Sequence, residues 1–215
     1  SVTTGTIPFP PPVVLGHEGA GIVIEVGEGV TEIAIGDAVV SSFVSMCGKC
    51  RYCQTGRPQL CDQAAKAAYT LPDGTVRTKD LQGRPLNIFS GCGVMAEVAT
   101  LHTDNVVKID RDIPLDRAAL VSCGVMTGVG AVVNTARVEA GSIAVVFGAG
   151  GVGLNAIQGC AIAGAAMIVA VDMADAKLEM ARQFGATHTL NAKSEENVVK
   201  AIRKLTGGGA DYAFE

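Results

Sequence analysis

The sequence predicts two folded regions, a β-rich domain of short strands followed by an α/β domain with a parallel, doubly wound sheet. In the first half, short apolar segments separated by glycine turns, such as 21–26 and 38–42, indicate a small barrel or sandwich. In the second half, strand-like and helix-like segments alternate from residue 142 onward, which is typical of a parallel sheet. We place the boundary between residues 121 and 122.

The composition is that of a globular protein with an acidic balance. Of the 215 residues, 48% are hydrophobic and 18% are charged, and the formal net charge is −4. This charge gives no electrostatic attraction to nucleic acid or to anionic membranes. Tryptophan is absent and aromatic residues make up only 4%, which disfavours base-stacking surfaces. We predict no nucleic-acid partner and, because no secretory signal is recognisable, a cytoplasmic location.

Two uncharged runs, 118–136 and 143–171, are long enough to suggest membrane helices. Glycines interrupt the second run, and neither run is flanked by clusters of basic residues. We predict that neither crosses a membrane.

The first domain begins with an extended, proline-rich segment, 1–12. Residues 62–85 are polar and contain Pro72-Asp73-Gly74, so a long surface loop or hairpin is expected there. Strands are predicted at 21–26, 38–42, 97–100 and 105–109.

Four of the seven cysteines follow the pattern C-x₂-C-x₂-C-x₇-C, at Cys47, Cys50, Cys53 and Cys61. Four thiolates this close in sequence can complete a tetrahedral shell, the usual arrangement of structural zinc. A disulfide pair and an iron–sulfur site are the alternatives; tight clustering in a reduced compartment favours a metal over disulfides. A filled shell has no open position, so this site is expected to stabilise the lobe at about 47–61.

Two further residues could bind a metal, although neither is decisive from the residues alone. His17 lies between Gly16 and Glu18, where it could be a histidine held in a turn or a ligand with a neighbouring acid. Cys123 precedes Gly124 at the domain junction and could be a buried thiol, a ligand or a reactive thiol.

The second domain opens with a helical stretch that begins at Pro114 and is interrupted over 122–130. Ser194 is expected to cap the last helix, and a fourth strand is expected after the glycines 207–209. The elements predicted between these are strand 142–147, helix 154–163, strand 166–171, helix 174–184, strand 187–190 and helix 194–205.

The pattern G-x-G-x-x-G joins the first strand of this domain to its helix. Gly148 permits a tight turn, Gly150 lets the backbone approach a pyrophosphate, and Gly153 lets the helix pack close to the sheet. The helix N-terminus offers free N–H groups to phosphates. Asp172 ends the next strand, about twenty residues on, where a carboxylate can accept hydrogen bonds from a ribose. The complete unit predicts a dinucleotide site.

The segment Gly16-His-Glu-Gly-Ala-Gly21, the four cysteines, Ser122-Cys-Gly124 and the glycine turn occur in the order that zinc-dependent medium-chain alcohol dehydrogenases show. This resemblance covers nearly the whole chain. It implies a GroES-like β-barrel catalytic domain over 1–121 and the first half of a Rossmann domain over 122–215. It also implies reversible hydride transfer between a primary or secondary alcohol and NAD, with two zinc ions per full-length chain.

The resemblance assigns a role to individual residues. Near the reacting centre these are His17 and Cys123 as ligands of a catalytic zinc, Glu18 as the nearby acid, Thr127 beside the nicotinamide, and Phe43 and Phe89 in the substrate pocket. At the cofactor they are Gly148, Gly150, Gly151, Val152 and Gly153 at the pyrophosphate, with Asp172 and Lys177 at the adenosine ribose. An acid at position 172 would repel a 2′-phosphate, which favours NAD over NADP.

Departures from the family pattern keep several alternatives open. The family's first catalytic ligand and the hydroxyl of its proton relay precede the position of Ser1, so we expect a fragment that lacks both ends and is inactive by itself. The full-length protein is expected to be a homo-oligomer, a dimer or tetramer. An S-(hydroxymethyl)glutathione dehydrogenase of the same family, a polyol dehydrogenase and a non-catalytic nucleotide-binding relative are the alternative functions.

Overall fold

A computed structural model describes residues 4–6 and 9–215 of the chain. The chain divides into two compact units, an N-terminal unit, Ser1–Cys123, and a C-terminal unit, Gly124–Glu215. The division lies close to the boundary that the sequence suggested.

Two small sheets form the described strand framework of the N-terminal unit. Its strands are, in chain order, β1 (Val13–Val14), β2 (Ala20–Ile22), β3 (Ala38–Ser41), β4 (Asn87–Ile88) and β5 (Val106–Lys108). β1 pairs with β4 in parallel, whereas β2, β3 and β5 form an antiparallel sheet with β3 at its centre. Every residue of β3 is buried. The hydroxyl of Ser41, its last residue, donates a hydrogen bond to the His17 carbonyl, so this strand fixes the backbone at His17.

The predicted strands of this unit have mixed outcomes. Those at 38–42 and 105–109 are confirmed, and the one at 21–26 is shortened to β2. The strand predicted at 97–100 is wrong, because residues 95–98 form bends and the side chains from 95 to 100 are all exposed. Local β propensity without a buried face is insufficient to form a strand.

Short helices and a long loop complete the N-terminal unit. Helix α1 (Arg51–Gln54) follows Cys50, and 3₁₀ turns lie at Pro58–Leu60 and Ala64–Ala67. The predicted loop or hairpin at 62–85 is confirmed, since Lys79 and Pro85 form an antiparallel bridge. Helix α2 (Leu115–Leu120) contacts β2 and β3.

The C-terminal unit contains a parallel four-stranded sheet of order β8-β7-β6-β9. Its elements, in chain order, are α3 (Met126–Gly130), β6 (Ile143–Phe147), α4 (Gly151–Ile162), β7 (Met167–Asp172), α5 (Asp175–Gln183), β8 (His188–Asn191), α6 (Val198–Thr206) and β9 (Tyr212–Phe214).

Both faces of this sheet are buried. Ala144 and Val146 pack in a cluster with residues of α4 and α5, whereas Val145 packs on the opposite face with Ile202 of α6. Because successive side chains of a strand point to opposite faces, this arrangement requires helices on both sides. The predicted doubly wound sheet is confirmed.

The last helix begins later than the sequence suggested. Its N-cap is Asn197, whose side chain accepts a hydrogen bond from the Lys200 backbone N–H at 2.9 Å. The prediction of Ser194 as the cap is wrong, because the Ser194 N–H instead closes a turn onto the carbonyl of Asn191 at 3.0 Å.

The predicted interruption over 122–130 takes the form of a widened helix. Helical structure extends over Leu115–Ala136 and includes π-helical turns at Val121–Val125 and Ala131–Ala136. By length and composition this stretch could cross a membrane. Of its most apolar 18-residue segment, 22% is buried. Within the C-terminal unit it packs tightly, since a Cβ at Gly128 would lie 2.4 Å from the Val152 carbonyl oxygen of α4. The absence of a membrane span stays a prediction.

Candidate functional site

The four predicted zinc ligands lie together in the N-terminal unit. The Sγ atoms of Cys47, Cys50, Cys53 and Cys61 are within 4.8 Å of one another, and all four are free thiols. Cys50 and Cys61 sulfurs are 3.9 Å apart, compared with about 2.05 Å in a disulfide. The disulfide alternative is therefore wrong. Among the described residues, no other cluster of three or more His, Cys, Asp or Glu side chains comes this close.

Backbone N–H groups converge on these sulfurs. Cys61 Sγ accepts from the N–H groups of Cys47 and Gln63, at 3.5 and 3.4 Å, and Cys47 Sγ accepts from that of Cys50 at 3.4 Å. Hydrogen bonds from the backbone of Cys53 and Asp62 lower the pKa of the Cys50 thiol to about 6. Because thiolates are the ligand form of cysteine, these donors favour the ligand form of Cys50, whereas burial and the neighbouring Cys50 thiol raise the pKa of Cys53 to about 12. The donor set fits a tetrahedral zinc ion.

His17 is held at the end of a glycine-rich turn. Gly16 has a φ of +94°, and a Cβ there would lie 2.6 Å from the backbone nitrogen of Met95, so only glycine fits. The Ser41 hydroxyl donates to the His17 carbonyl at 2.7 Å and accepts from the Gly19 N–H at 3.0 Å. The backbone of His17 is thereby fixed to the end of β3.

The His17 ring lies among aromatic rings. Its centroid is 5.0 Å from that of Phe43 and 5.4 Å from that of Phe89, the two residues predicted for the substrate pocket. Glu18 is exposed, and Cys123 is half-buried in the π-helical turn Val121–Val125. The structure thus brings Phe43 and Phe89 to His17, while the roles of Glu18 and Cys123 stay predictions.

A cavity of about 490 Å³ lies at the carboxyl end of β6 in the C-terminal unit. It is bounded by the end of β6, the start of α4, α3 and the end of β9. Six of the predicted cofactor residues line it: Thr127, Gly148, Gly150, Gly151, Val152 and Gly153.

The glycines of the turn divide into two groups by what a side chain would meet. At Gly148, Gly150 and Gly151 a Cβ would have nothing within 4 Å, so the backbone there borders open space. At Gly153 a Cβ would lie 1.8 Å from the Gly148 carbonyl oxygen. The first three positions leave room for a pyrophosphate at the N-terminus of α4, and the fourth allows the helix to approach the turn.

Asp172 anchors this turn, a role that its sequence position did not indicate. One carboxylate oxygen accepts from the Ala149 N–H at 2.8 Å, and the other accepts from Met173 and Ala174 at 2.7 and 3.0 Å. The Ala149 bond, followed by those of Ala174 and Met173 and by the charge of Lys177, holds the carboxyl pKa below its usual value. Lys177 Nζ is 4.0 Å away.

Two family models match the chain. The alcohol dehydrogenase GroES-like domain matches residues 1–111, and the zinc-binding dehydrogenase domain matches residues 151–215. The chain belongs to the zinc-dependent medium-chain alcohol dehydrogenase family.

Members of this dehydrogenase family resemble the chain closely. It is 45% identical over 212 residues to an S-(hydroxymethyl)glutathione dehydrogenase of Paracoccus denitrificans, a match that covers 95% of this chain and 56% of that protein. A zinc-binding alcohol dehydrogenase domain protein of Burkholderia ambifaria matches with a TM-score of 0.88 and 41% identity over 96% of this chain and 56% of that one. Benzyl alcohol dehydrogenase of Acinetobacter calcoaceticus matches with a TM-score of 0.84 and 38% identity over 99% and 57%.

The chain spans just over half the length of these relatives. Family membership confirms the predicted GroES-like and Rossmann fold and the predicted zinc cofactor. The predicted cofactor, NAD, agrees with a further structural match. The matched protein is an NAD-dependent alcohol dehydrogenase, with a TM-score of 0.75 and 30% identity over 99% of this chain and 57% of that one.

Substitutions in the glycine turn, 148–153, should separate effects on helix packing from effects on cofactor binding. Gly153→Ala is expected to lower the free energy of unfolding by about 1–3 kcal/mol, because the added methyl overlaps the Gly148 carbonyl. Gly150→Ala is expected to leave it within about 0.5 kcal/mol, since the methyl enters open space, but to weaken NAD binding. Denaturant unfolding and NAD titration of both variants measure the two effects. Equal destabilisation by both variants would contradict this division.

The lowered Asp172 pKa predicts an acid-dependent loss of stability. A carboxyl whose folded pKa lies below its unfolded value stabilises the fold above the unfolded pKa, about 3.8, and loses that contribution as pH falls through the folded pKa. Denaturant unfolding from pH 7 to pH 3 should therefore show a smaller acid-dependent loss for Asp172→Asn than for the native protein. An identical pH dependence would show that these hydrogen bonds do not stabilise the charged form.

Proposed function

We propose that the protein containing this chain is an NAD-dependent zinc alcohol dehydrogenase, which transfers hydride reversibly between a primary or secondary alcohol and NAD. The observation that carries this proposal is an open glycine turn, anchored by Asp172, in a chain that also carries the four-cysteine cluster of the family. A closed turn would be inconsistent with a cofactor, whereas this one leaves space where a pyrophosphate would lie.

The cofactor would be held by the backbone more than by side chains. The first N–H groups of α4 have no partner within the helix, and the N-cap Gly150 makes no side-chain cap bond, so they could donate to a phosphate beside Gly150 and Gly151, where the backbone borders open space. Asp172 already accepts three backbone hydrogen bonds, and a carboxylate has about four acceptor sites. One acceptor site is therefore available for a ribose hydroxyl, and the negative charge would disfavour the 2′-phosphate of NADP.

His17 and Cys123 would hold the catalytic zinc, and the four-cysteine cluster would hold the structural one. A zinc ion with an open position lowers the pKa of a bound alcohol and polarises a carbonyl. Ser41 would orient His17 through its hydrogen bond to the His17 carbonyl, and the rings of Phe43 and Phe89 would exclude water from the substrate.

The second candidate is an S-(hydroxymethyl)glutathione dehydrogenase. The relatives that bear this name, including the one of Paracoccus denitrificans at 45% identity, favour it. The native gene product that contains this chain should be assayed for NADH formation with simple alcohols and with formaldehyde, each with and without glutathione. Turnover of alcohols without glutathione supports the first candidate. Turnover of formaldehyde that requires glutathione supports the second, and no turnover with either would indicate a non-catalytic relative.

We also propose that the full-length protein acts on small molecules as a cytoplasmic homo-oligomer, either a dimer or a tetramer. The family resemblance supports this assignment, and the net charge of −4 argues against a nucleic-acid partner. Light scattering coupled to size-exclusion chromatography of the native gene product measures the subunit number. A monomer at micromolar concentration would contradict it.

A further inference from the structure

A buried asparagine lies beside the segment that connects β3 to the four-cysteine cluster. This segment, 42–46, contains Phe43 and ends next to Cys47. Asn105 is 0% exposed and lies in the 3₁₀ turn Thr103–Asn105, immediately before β5. Asparagine is mostly found at protein surfaces, because burial of its amide costs free energy unless the amide is hydrogen-bonded. The partners of this amide therefore indicate what Asn105 does.

The side-chain amide of Asn105 holds segment 42–46 at two points. Its nitrogen donates to the Ser42 carbonyl at 2.8 Å, and its oxygen accepts from the Ser45 hydroxyl at 2.7 Å. The Asn105 backbone carbonyl adds a third bond, which it accepts from the Ser42 N–H at 2.8 Å. Ser42 and Ser45 are themselves only 5% and 1% exposed. A buried polar network whose members are paired is rigid, so these bonds hold the segment in one conformation.

Phe43 depends on this restraint of the backbone. It lies between the two serines, and its ring centroid is 5.0 Å from that of His17. Because Phe43 is 42% exposed, packing alone constrains its ring weakly. The same 3₁₀ turn also fixes the end of the segment, since the Met46 N–H donates to the Asp104 carbonyl at 2.9 Å. The position of the Phe43 ring therefore follows from bonds that the turn makes on both sides of it.

We infer that Asn105 is a positioning residue for the dehydrogenase reaction, which holds Phe43 in place against His17. The inference rests on the proposed function, in which Phe43 contacts the alcohol. It adds a residue outside the set predicted to contact the alcohol, the cofactor or zinc. Loss of the Asn105 amide would release the segment that carries Phe43, so binding of the alcohol should weaken. Binding of NAD should not, because the glycine turn belongs to the C-terminal unit.

Asn105→Asp and Ser45→Ala test the inference by steady-state kinetics of the native gene product. The first keeps the shape of the side chain but removes the donor to Ser42, and the second removes the hydroxyl that binds the amide oxygen. The alcohol is whichever of ethanol, butan-1-ol and benzyl alcohol the native protein oxidises best. Each variant should raise KM for this alcohol by about two- to tenfold, the loss expected when part of an apolar contact is removed. KM for NAD and the content of two zinc ions should stay native.

Thr187→Val is the matched control, because it removes a hydrogen-bonded hydroxyl from the C-terminal unit. It should leave both KM values unchanged. If Asn105 and Ser45 only stabilise the fold, their substitution will lower the folded fraction, so kcat per total protein will fall while both KM values stay native. That result, native kinetics in both variants, or an equal rise of KM for NAD overturns the inference. If Asn105→Asp does not fold, Ser45→Ala decides by itself.

Fluorine NMR tests the position of Phe43 without turnover. The native gene product and both variants are labelled with 4-fluorophenylalanine, and Phe43→Leu and Phe184→Leu assign two resonances. The Phe43 resonance should shift or broaden in both variants, whereas that of Phe184, in the C-terminal unit, should not. An unchanged Phe43 resonance overturns the inference. If the native protein oxidises none of the three alcohols, the proposed function fails, and this resonance then decides separately whether Asn105 holds Phe43.

Discussion

Cys61→Ser is expected to remove one of the two zinc ions from the native gene product and to destabilise it strongly. Cys61 is the buried member of the four-cysteine cluster, and its sulfur accepts two backbone hydrogen bonds. Structural zinc sites contribute about 10–16 kcal/mol of apparent binding free energy. A loss of at least about 3 kcal/mol of that stabilisation would lower the midpoint of thermal unfolding by about 4 °C or more in a protein as long as the relatives, of which this chain spans 56%. Elemental analysis and calorimetry measure both changes.

Cys92→Ser is the matched control for this experiment. Cys92 is also buried and lies in the same unit, and its thiol donates to the Ser42 carbonyl at 3.4 Å, a bond that a hydroxyl can replace. Burial raises its pKa to about 12, so it is a neutral thiol outside the cluster. The control should keep both zinc ions. Full zinc content in Cys61→Ser would contradict the assignment of the cluster.

His17→Ala is expected to lower kcat/KM for alcohol oxidation by at least about 10³-fold and to remove the other zinc ion. A metal that stabilises developing charge contributes several kcal/mol to the barrier, and each 1.36 kcal/mol corresponds to about tenfold in rate. The variant should stay folded, because the Ser41 hydrogen bond that fixes this turn is made to the His17 backbone. Circular dichroism, zinc analysis and steady-state kinetics test these three outcomes.

The control here is His102→Ala. His102 is in the same unit, partly exposed, and its ring accepts a hydrogen bond from the Asp104 N–H at 3.1 Å. It should retain both zinc ions and the activity. Retention of both ions by His17→Ala would refute its role as a ligand.

The fold of the C-terminal unit could be predicted from the sequence because its strands are buried on both faces. Such strands read as continuous apolar runs, as in β6 and β7, and their alternation with helices specifies the topology. The N-terminal unit was harder to predict, because its strands are only two to four residues long and the turns between them decide which strands pair. The strand expected at 97–100 failed because burial, which decides strand formation, is a property of the folded neighbours.

The features of the candidate site also differ in how far the sequence could predict them. The four-cysteine cluster was predictable because its spacing is local in sequence, and the glycine turn because it interrupts a strand and a helix in a fixed pattern. The aromatic surroundings of His17 were only partly predicted, since Phe9 contacts Phe89, and Tyr69 contacts Phe9, between segments that are distant in sequence. The sequence did not reveal that Asp172 anchors the turn, because ribose binding alone already accounts for an acid at that position.

Isotope transfer tests the proposed hydride chemistry most directly. The native gene product should be incubated with NAD and an alcohol carrying deuterium on its carbinol carbon, and the reduced cofactor analysed by mass spectrometry. If the protein is a dehydrogenase of this family, the deuterium will appear in the reduced cofactor and the rate will fall when the hydride step limits it. Reduced cofactor without deuterium, or no reduction by any alcohol, would contradict direct transfer from the alcohol to the dinucleotide bound at the Gly148–Gly153 turn.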